Sequence, residues 1–334
     1  MFRYFGSKSS TASFVAGIAL EGVQVRTAAD AFGGLGNIGV EFRARGVEVS
    51  TCDLLGFPNA FQSSRIECSR TPSFNAVKSA LGVSTSLELE NVLSEATVQS
   101  GWFVREYSET RQFFTQSNAR RIAGAWGAIS RWHRMGWLSE RERKYAVASL
   151  LNSADKCANT AGTYYAYLKN WHRKALKPFQ FQWLPIEVAG NRGRAFQGDA
   201  LTCLRDKQFD LLYLDPPYNN RDYSRYYHLP ETLAGLKAVR IDPSSKCGQP
   251  LRKSVQGPFI RKAMGLPYLE ELTASVRWSR LVVQYADGAH IALARLRPAL
   301  KAFGSLTEHK IPALGYRTTS GARAHTHHVF IVDR

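Results

Sequence analysis

A doubly wound α/β fold with an inserted helical lobe is predicted by three features of the sequence. An apolar run, Phe209-Asp-Leu-Leu-Tyr-Leu, stops abruptly at Asp215-Pro216-Pro217-Tyr218, as a buried parallel strand does at the carboxyl edge of a sheet. A strand-like run leads into Asp30-Ala31-Phe32-Gly33-Gly34-Leu35-Gly36 and then into a helical pattern, the order of a βαβ unit. About 130 residues separate these two halves, far more than one crossover needs, so a lobe is inserted between them.

The chain opens on Arg3-Tyr4-Phe5-Gly6-Ser7-Lys8, followed by an amphipathic helix over residues 10–20 that Ser9 or Ser10 caps. A glycine bend with a lysine at a helix start gathers backbone N–H groups and an ammonium, which together can hold a carboxylate. Residues 23–29 read as a strand, and Gly33, Gly34 and Gly36 let the backbone approach a ligand closely before a helix at 37–45. The next strand, 47–51, ends at Cys52-Asp53. Asp53 lies 20 residues past Gly33, the spacing at which a nucleotide fold sets an acid on ribose hydroxyls. Helical periodicity marks 86–98, 119–135, 140–156 and 163–175 in the insertion. Phe196-Gln197-Gly198-Asp199-Ala200 then follows a strand end and opens a short helix that Asp199 can cap. Strands at 209–214, 279–285 and 329–332, with a helix at 289–300, complete the sheet.

Charge narrows the partner. The 334 residues carry 44 Lys and Arg against 27 Asp and Glu, a net charge of +17, which suits a polyanion. Residues 102–144 hold nine Lys/Arg and four acids, with aromatics interleaved there and beyond at Phe113, Phe114, Trp126, Trp132, Trp137, Tyr164, Tyr165, Tyr167, Trp171 and Trp183. Singly such rings are core packing; only the ensemble argues for nucleic acid. Residues 237–262 hold seven Lys/Arg and one acid, broken by Gly and Pro, and read as a mobile loop over that partner. Arg120, Arg121, Lys169, Arg221, Arg225, Arg252 and Lys253 are the candidate DNA contacts. The sequence shows no run of transmembrane length and no signal peptide, so a cytoplasmic protein free of the membrane is expected, as a monomer or weak dimer. Five scattered cysteines read as reduced thiols. His325, His327 and His328 sit in what reads as a turn, without a carboxylate or cysteine at ligand spacing, so no metal is expected.

The residues at the end of the 209–214 strand suit one chemistry: presenting an exocyclic amine to an electrophile. The Asp215 carboxylate accepts one N–H and a backbone carbonyl held by Pro216-Pro217 accepts the other, so the nitrogen becomes more tetrahedral and nucleophilic. Tyr218 stacks on the face of the base. This turn resembles the catalytic motif of S-adenosylmethionine-dependent N6-adenine DNA methyltransferases, and the motif order resembles their Dam-like (alpha-class) branch with a helical insertion.

That resemblance implies a Rossmann-like catalytic domain of residues 1–60 and 190–334 and a helical target-recognition lobe of 61–189. It implies S-adenosyl-L-methionine as cofactor, held by Tyr4, Gly6 and Lys8, by Asp30, Phe32, Gly33, Gly34 and Gly36, by Asp53, by Asp199 and Ala200 at the cofactor adenine, and by Asp215. Arg111-Gln-Phe-Phe-Thr115, the 159–169 stretch and Asn219–His228 with Glu231-Thr232 are similar to segments of the same branch. The implied substrate is a flipped adenine in double-stranded DNA, and a cognate restriction endonuclease encoded separately is a possible partner. The same turn chemistry also fits cytosine N4, adenine in RNA or a protein amide, and the fold fits a non-catalytic DNA-binding protein.

Overall fold

In a computed structural model that describes residues 2–4, 10–188, 191–251, 255–313, 317–318, 321–322 and 325–334, the apolar runs form one seven-stranded sheet. The strands are β1 (Thr27–Asp30), β2 (Glu48–Asp53), β3 (Arg194–Gln197), β4 (Gln208–Leu214), β5 (Arg277–Ala286), β6 (Ser305–Ala313) and β7 (His325–Asp333). Their order is β3-β2-β1-β4-β5-β7-β6, with β7 antiparallel between β5 and β6 and the remaining pairs parallel. A separate two-residue pair joins Arg317–Thr318 to Gly321–Ala322.

The sheet belongs to one of two compact units, comprising Lys8–Leu54, Gly190–Asp222 and Gln256–Arg334. Alternation along the strands assigns its two faces. Leu212, Leu214, Leu281, Val283 and Tyr285 share a buried cluster with Leu266, Leu269 and Leu272 of the helix Gly265–Ser275 and with Leu296 and Leu300 of Leu293–Lys301. On the opposite face Tyr213 meets Phe42 of the helix Asn37–Ala44 edge-on, ring centroids 6.2 Å apart. Helices on both faces make the fold doubly wound and Rossmann-like. Arg280 fastens the first helix, Ala12–Leu20, to the sheet. Its guanidinium grips Asp333 at 2.7 and 2.9 Å and donates to the carbonyls of Ala19 and Glu21, which the helix end leaves open. Asp210 aligns β1 with β4 by accepting the N–H groups of Arg26 and Thr27 at 2.8 and 2.9 Å.

The other unit comprises Met1–Ser7, Leu55–Ala189 and Tyr223–Val255, so it takes in more than the expected lobe of 61–189. Glu231 gives a reason: its two carboxylate oxygens accept the first N–H groups of the helix Gly56–Gln62, at 3.0 and 2.9 Å. Three predicted helices form, as Ser86–Glu95, Gln116–Arg134 and Glu140–Asp155, started by side-chain caps from Thr85, Thr115 and Ser139.

Several expectations are corrected. Residues 163–175 are not a helix; only Arg173–Leu176 makes a short 3₁₀ turn. Asn159 takes over the backbone there, donating through Nδ2 to the carbonyls of Gln112 and Leu168 and accepting the His172 N–H. Thr11, and not Ser10, is the N-cap residue of the first helix, and its side chain makes no capping bond; Ser9 lies outside the described residues. The first strand is 27–30 and not 23–29, and β6 was unforeseen. His325, His327 and His328 lie within β7 and not in a turn, and His328 does have carboxylate partners, Glu308 at 2.6 Å and Asp287 at 3.1 Å.

Candidate active site

Asp30 ends β1 opposite Tyr213 of β4, and the Ala31 N–H donates to the Tyr213 carbonyl at 3.1 Å. The carboxyl ends of β1 and β4 therefore lie side by side, at a strand spacing of roughly 4.8 Å. Here the sheet order reverses, from β1 through β2 and β3 on one side and β4 and β5 on the other, the place where open α/β sheets bind ligands.

From β1 the chain turns through the glycines. Gly34 and Gly36 take φ of 50° and 80°, conformations that cost a residue with a Cβ about 1–2 kcal/mol. The turn is braced from β2: the Gly33 N–H donates to the Cys52 carbonyl at 2.9 Å and the Gly34 N–H to the Asp53 carboxylate at 3.1 Å. Asp53 thus ends β2 beside a turn free of side-chain bulk, an arrangement that admits a ribose. One strand further out, Asp199 caps the helix Ala200–Leu204 through the Leu201 N–H at 3.0 Å and accepts the Tyr268 hydroxyl at 2.9 Å. Burial, together with Asp199, pushes the Tyr268 phenol up, so it stays protonated as a donor. Phe32, Phe259 and Tyr268 meet as tilted and edge-on rings, 5.4 to 6.5 Å apart. Flat apolar faces next to a capped carboxylate can hold a nucleobase. Tyr268 escaped sequence reasoning because nothing in the apolar face of the helix Gly265–Ser275 distinguishes a site-lining ring from core, and Phe259 because it lies in a stretch read as a basic surface loop.

From β4 the chain turns through Asp215-Pro216-Pro217-Tyr218. Asp215 is partly exposed beyond the buried Leu214, and the Tyr218 hydroxyl donates to its Oδ1. A carboxylate has about four lone-pair sites, so capacity remains for a substrate N–H. The Tyr218 ring is steadied edge-on by Tyr285 and His327, at 5.3 and 5.6 Å, and its carbonyl accepts the His290 N–H at 2.9 Å. Behind the turn Tyr213 donates to Gln284 at 2.6 Å, and burial, with Asp215 and Asp30 nearby, pushes the Tyr213 phenol up.

The sheet unit collects Asp30, Phe32, Gly33, Gly34, Gly36, Asp53, Asp199, Ala200, Asp215, Pro216, Pro217, Tyr218 and Arg221. Tyr4 falls in the helical unit, its ring against Phe57, Tyr223 and Tyr227 at 5.1 to 6.0 Å. Gly6, Lys8, Arg252 and Lys253 lie outside the described residues. Of the expected DNA contacts in the helical unit, Arg121 donates to the Ser94 carbonyl and Arg225 to Gln249, while Lys169 is exposed and Arg120 is half-buried. Most of the aromatic ensemble is core: Phe113, Phe114, Trp132 and Tyr164 are buried, and the indole N–H groups of Trp126 and Trp183 donate to the carbonyls of Leu233 and Ser86.

Residues 4–239 match the model of the D12 class N6 adenine-specific DNA methyltransferases. Similar proteins include the modification methylase LlaI of Lactococcus lactis subsp. lactis, 28% identical over 88% of this chain and 47% of that protein. The type II methyltransferase M.NlaIII of Neisseria lactamica is 26% identical over 90% of this chain and 88% of its own length. The type II methyltransferase M.FokI of Planomicrobium okeanokoites is 28% identical over 94% and 49%. The chain thus spans about half the length of the LlaI and FokI proteins.

Proposed function

Because the chain belongs to the D12 class N6 adenine-specific DNA methyltransferases, we propose that it transfers a methyl group from S-adenosyl-L-methionine to N6 of an adenine rotated out of double-stranded DNA. The observation that carries this reading is the Asp215–Tyr218 turn standing at the sheet's switch point beside the glycine turn of β1. Methyltransferases of this family in general use that donor, which when bound supplies an electrophilic methyl on a sulfonium and leaves as a thioether. The cradle of the sheet unit fits it: Gly34 and Gly36 leave room for backbone approach, Asp53 serves the ribose, and Phe32 and Asp199 the purine, while the amino-acid end is assigned to Tyr4, Gly6 and Lys8 by the sequence motif alone.

Asp215 accepts one hydrogen of the adenine amine and a prolyl carbonyl of Pro216-Pro217 accepts the other, so the nitrogen lone pair is freed from the ring. With the donor bound, that pair would face its methyl carbon, and the extra proton left on nitrogen after transfer would pass to water, so no base would have to act first. Tyr218 stacks on the extruded base and offsets part of the few kcal/mol that extrusion costs.

The helical unit serves as the recognition lobe, with Arg120, Arg121, Lys169, Arg225, Arg252 and Lys253 as candidate phosphate contacts, joined by Arg221 of the sheet unit. The protein acts in the cytoplasm as a monomer or weak dimer, beside a restriction endonuclease encoded separately. Among the described residues no helix is long and apolar enough to cross a membrane. The test is transfer of tritium from labelled donor to duplex DNA, RNA or protein, with wild type and Asp215→Ala. Wild type labels duplex DNA at adenine N6. Asp215→Ala labels it about 100- to 1,000-fold more slowly, with donor affinity within about threefold. Equal labelling by both proteins would falsify the mechanism, and label on RNA or protein alone would overturn the substrate.

A further inference from the structure

The helical unit carries one aromatic contact that packing does not explain. Tyr165 is 47% exposed, yet its ring stacks on Tyr226 at 4.8 Å and 21°. The pair is held from beneath: the Tyr164 N–H donates to the Tyr226 carbonyl at 2.9 Å, and the Tyr164 carbonyl pairs with Nε2 of the buried His228 at 2.9 Å. Asn159 ties down the loop that follows, through Leu168 and His172. The stack is therefore held in place while about half of the Tyr165 side chain remains open to water.

The segment that carries Tyr165 is cationic. From Lys156 to Ile186 the chain has no Asp or Glu and five Lys/Arg, and Lys169, Arg173 and Lys177 are exposed along with Trp171. Only Lys174 turns inward, donating to the Asp155 carbonyl at 2.7 Å. Arg225, adjacent to Tyr226, is exposed and oriented by Gln249 at 3.0 Å.

We propose that the Tyr165–Tyr226 stack is a nucleobase platform, on which a base of the opened duplex lies when the target adenine leaves, with Lys169 and Arg173 on the adjoining phosphates. The inference rests on the function proposed above and deepens it. Charge complementarity selects DNA as the occupant, since a 31-residue stretch without acids repels nothing on a phosphate backbone. An aromatic face accepts any base, and a platform already rigid loses little entropy when the base arrives. The indole of Trp171, 38% exposed, extends the same chemistry along the loop.

The experiment uses the full chain and a duplex bearing the site found by methylation-sensitive sequencing. Fluorescence anisotropy is read across a salt series, with 2-aminopurine placed beside the target. Tyr165→Ala should weaken binding by about 5- to 100-fold with the salt slope unchanged, and alter the 2-aminopurine emission; Tyr165→Phe, which keeps the ring, should restore both. Lys169→Ala with Arg173→Ala should reduce the slope of log K against log salt by about two. Wild-type affinity and emission in Tyr165→Ala would overturn the platform, and an unchanged slope in the double variant would overturn the phosphate contacts. If wild type methylates the duplex while Tyr165→Ala binds it normally, this inference alone fails. If wild type methylates no duplex DNA, the parent reading fails and takes this one with it.

Discussion

Asp199 illustrates how a single side chain serves two readings. Its N-cap role was legible from the order glycine, acid, short helix, and the structure shows that bond; the Tyr268 hydroxyl on the same oxygen was not legible, because 69 residues separate the partners. His228 is another residue whose behaviour depends on what folds around it. Burial pushes its imidazole pKa from 6.5 down to about 4. The folded value lies below the unfolded one, so the unfolded chain binds more protons between those limits. Stability contributed by the neutral ring is therefore complete above pH 6.5 and declines as the pH falls toward 4, by on the order of 2–3 kcal/mol. Urea midpoints measured from pH 7 to 4.5 should fall in wild type, and a His228→Phe variant should show a flatter dependence over the same range.

At the level of elements, helical periodicity located the helices at 86–95, 116–134 and 140–155 to within a few residues, while the caps that start them, Thr85, Thr115 and Ser139, emerged only in the structure, since a single Ser or Thr is too common to mark a start. The same periodicity misled at 163–175, where side-chain hydrogen bonds of Asn159, just ahead of the segment, with Leu168 and His172 outcompete helical ones. Element contacts also fix a glycine that sequence leaves unexplained. A Cβ at Gly124, inside the helix Gln116–Arg134, would lie 2.4 Å from the backbone carbonyl of Ala96 and 2.5 Å from the Thr97 nitrogen. Backbone cannot yield as a flexible side chain can. Gly124→Ala should therefore destabilise by about 3 kcal/mol despite the better helix propensity of alanine, whereas Gly127→Ala, with open space around it, should be neutral or stabilising. Thermal unfolding of the two variants compares them directly; equal midpoints would mean that the segment at Ala96 is free to move.

For the molecule as a whole, the excess charge of +17 sets the character of binding. With six or more phosphates neutralised, affinity for duplex DNA should drop at least about 1,000-fold between 50 and 200 mM salt, and a flat response in a salt titration would contradict a phosphate-dominated interface. That charge, the strand that ends in Asp215-Pro216-Pro217-Tyr218, and the glycine turn with Asp53 in register were all readable from the sequence alone, since each is a local pattern or a sum over residues. Only the tertiary structure decided that β1 and β4 are neighbours, which brings the two turns together across more than 180 residues of chain. It also decided that the 223–255 segment packs with the helical unit, and which of many aromatic rings remain in water. Strand order and burial arise from pairings between distant segments, and a local pattern carries no record of its partner.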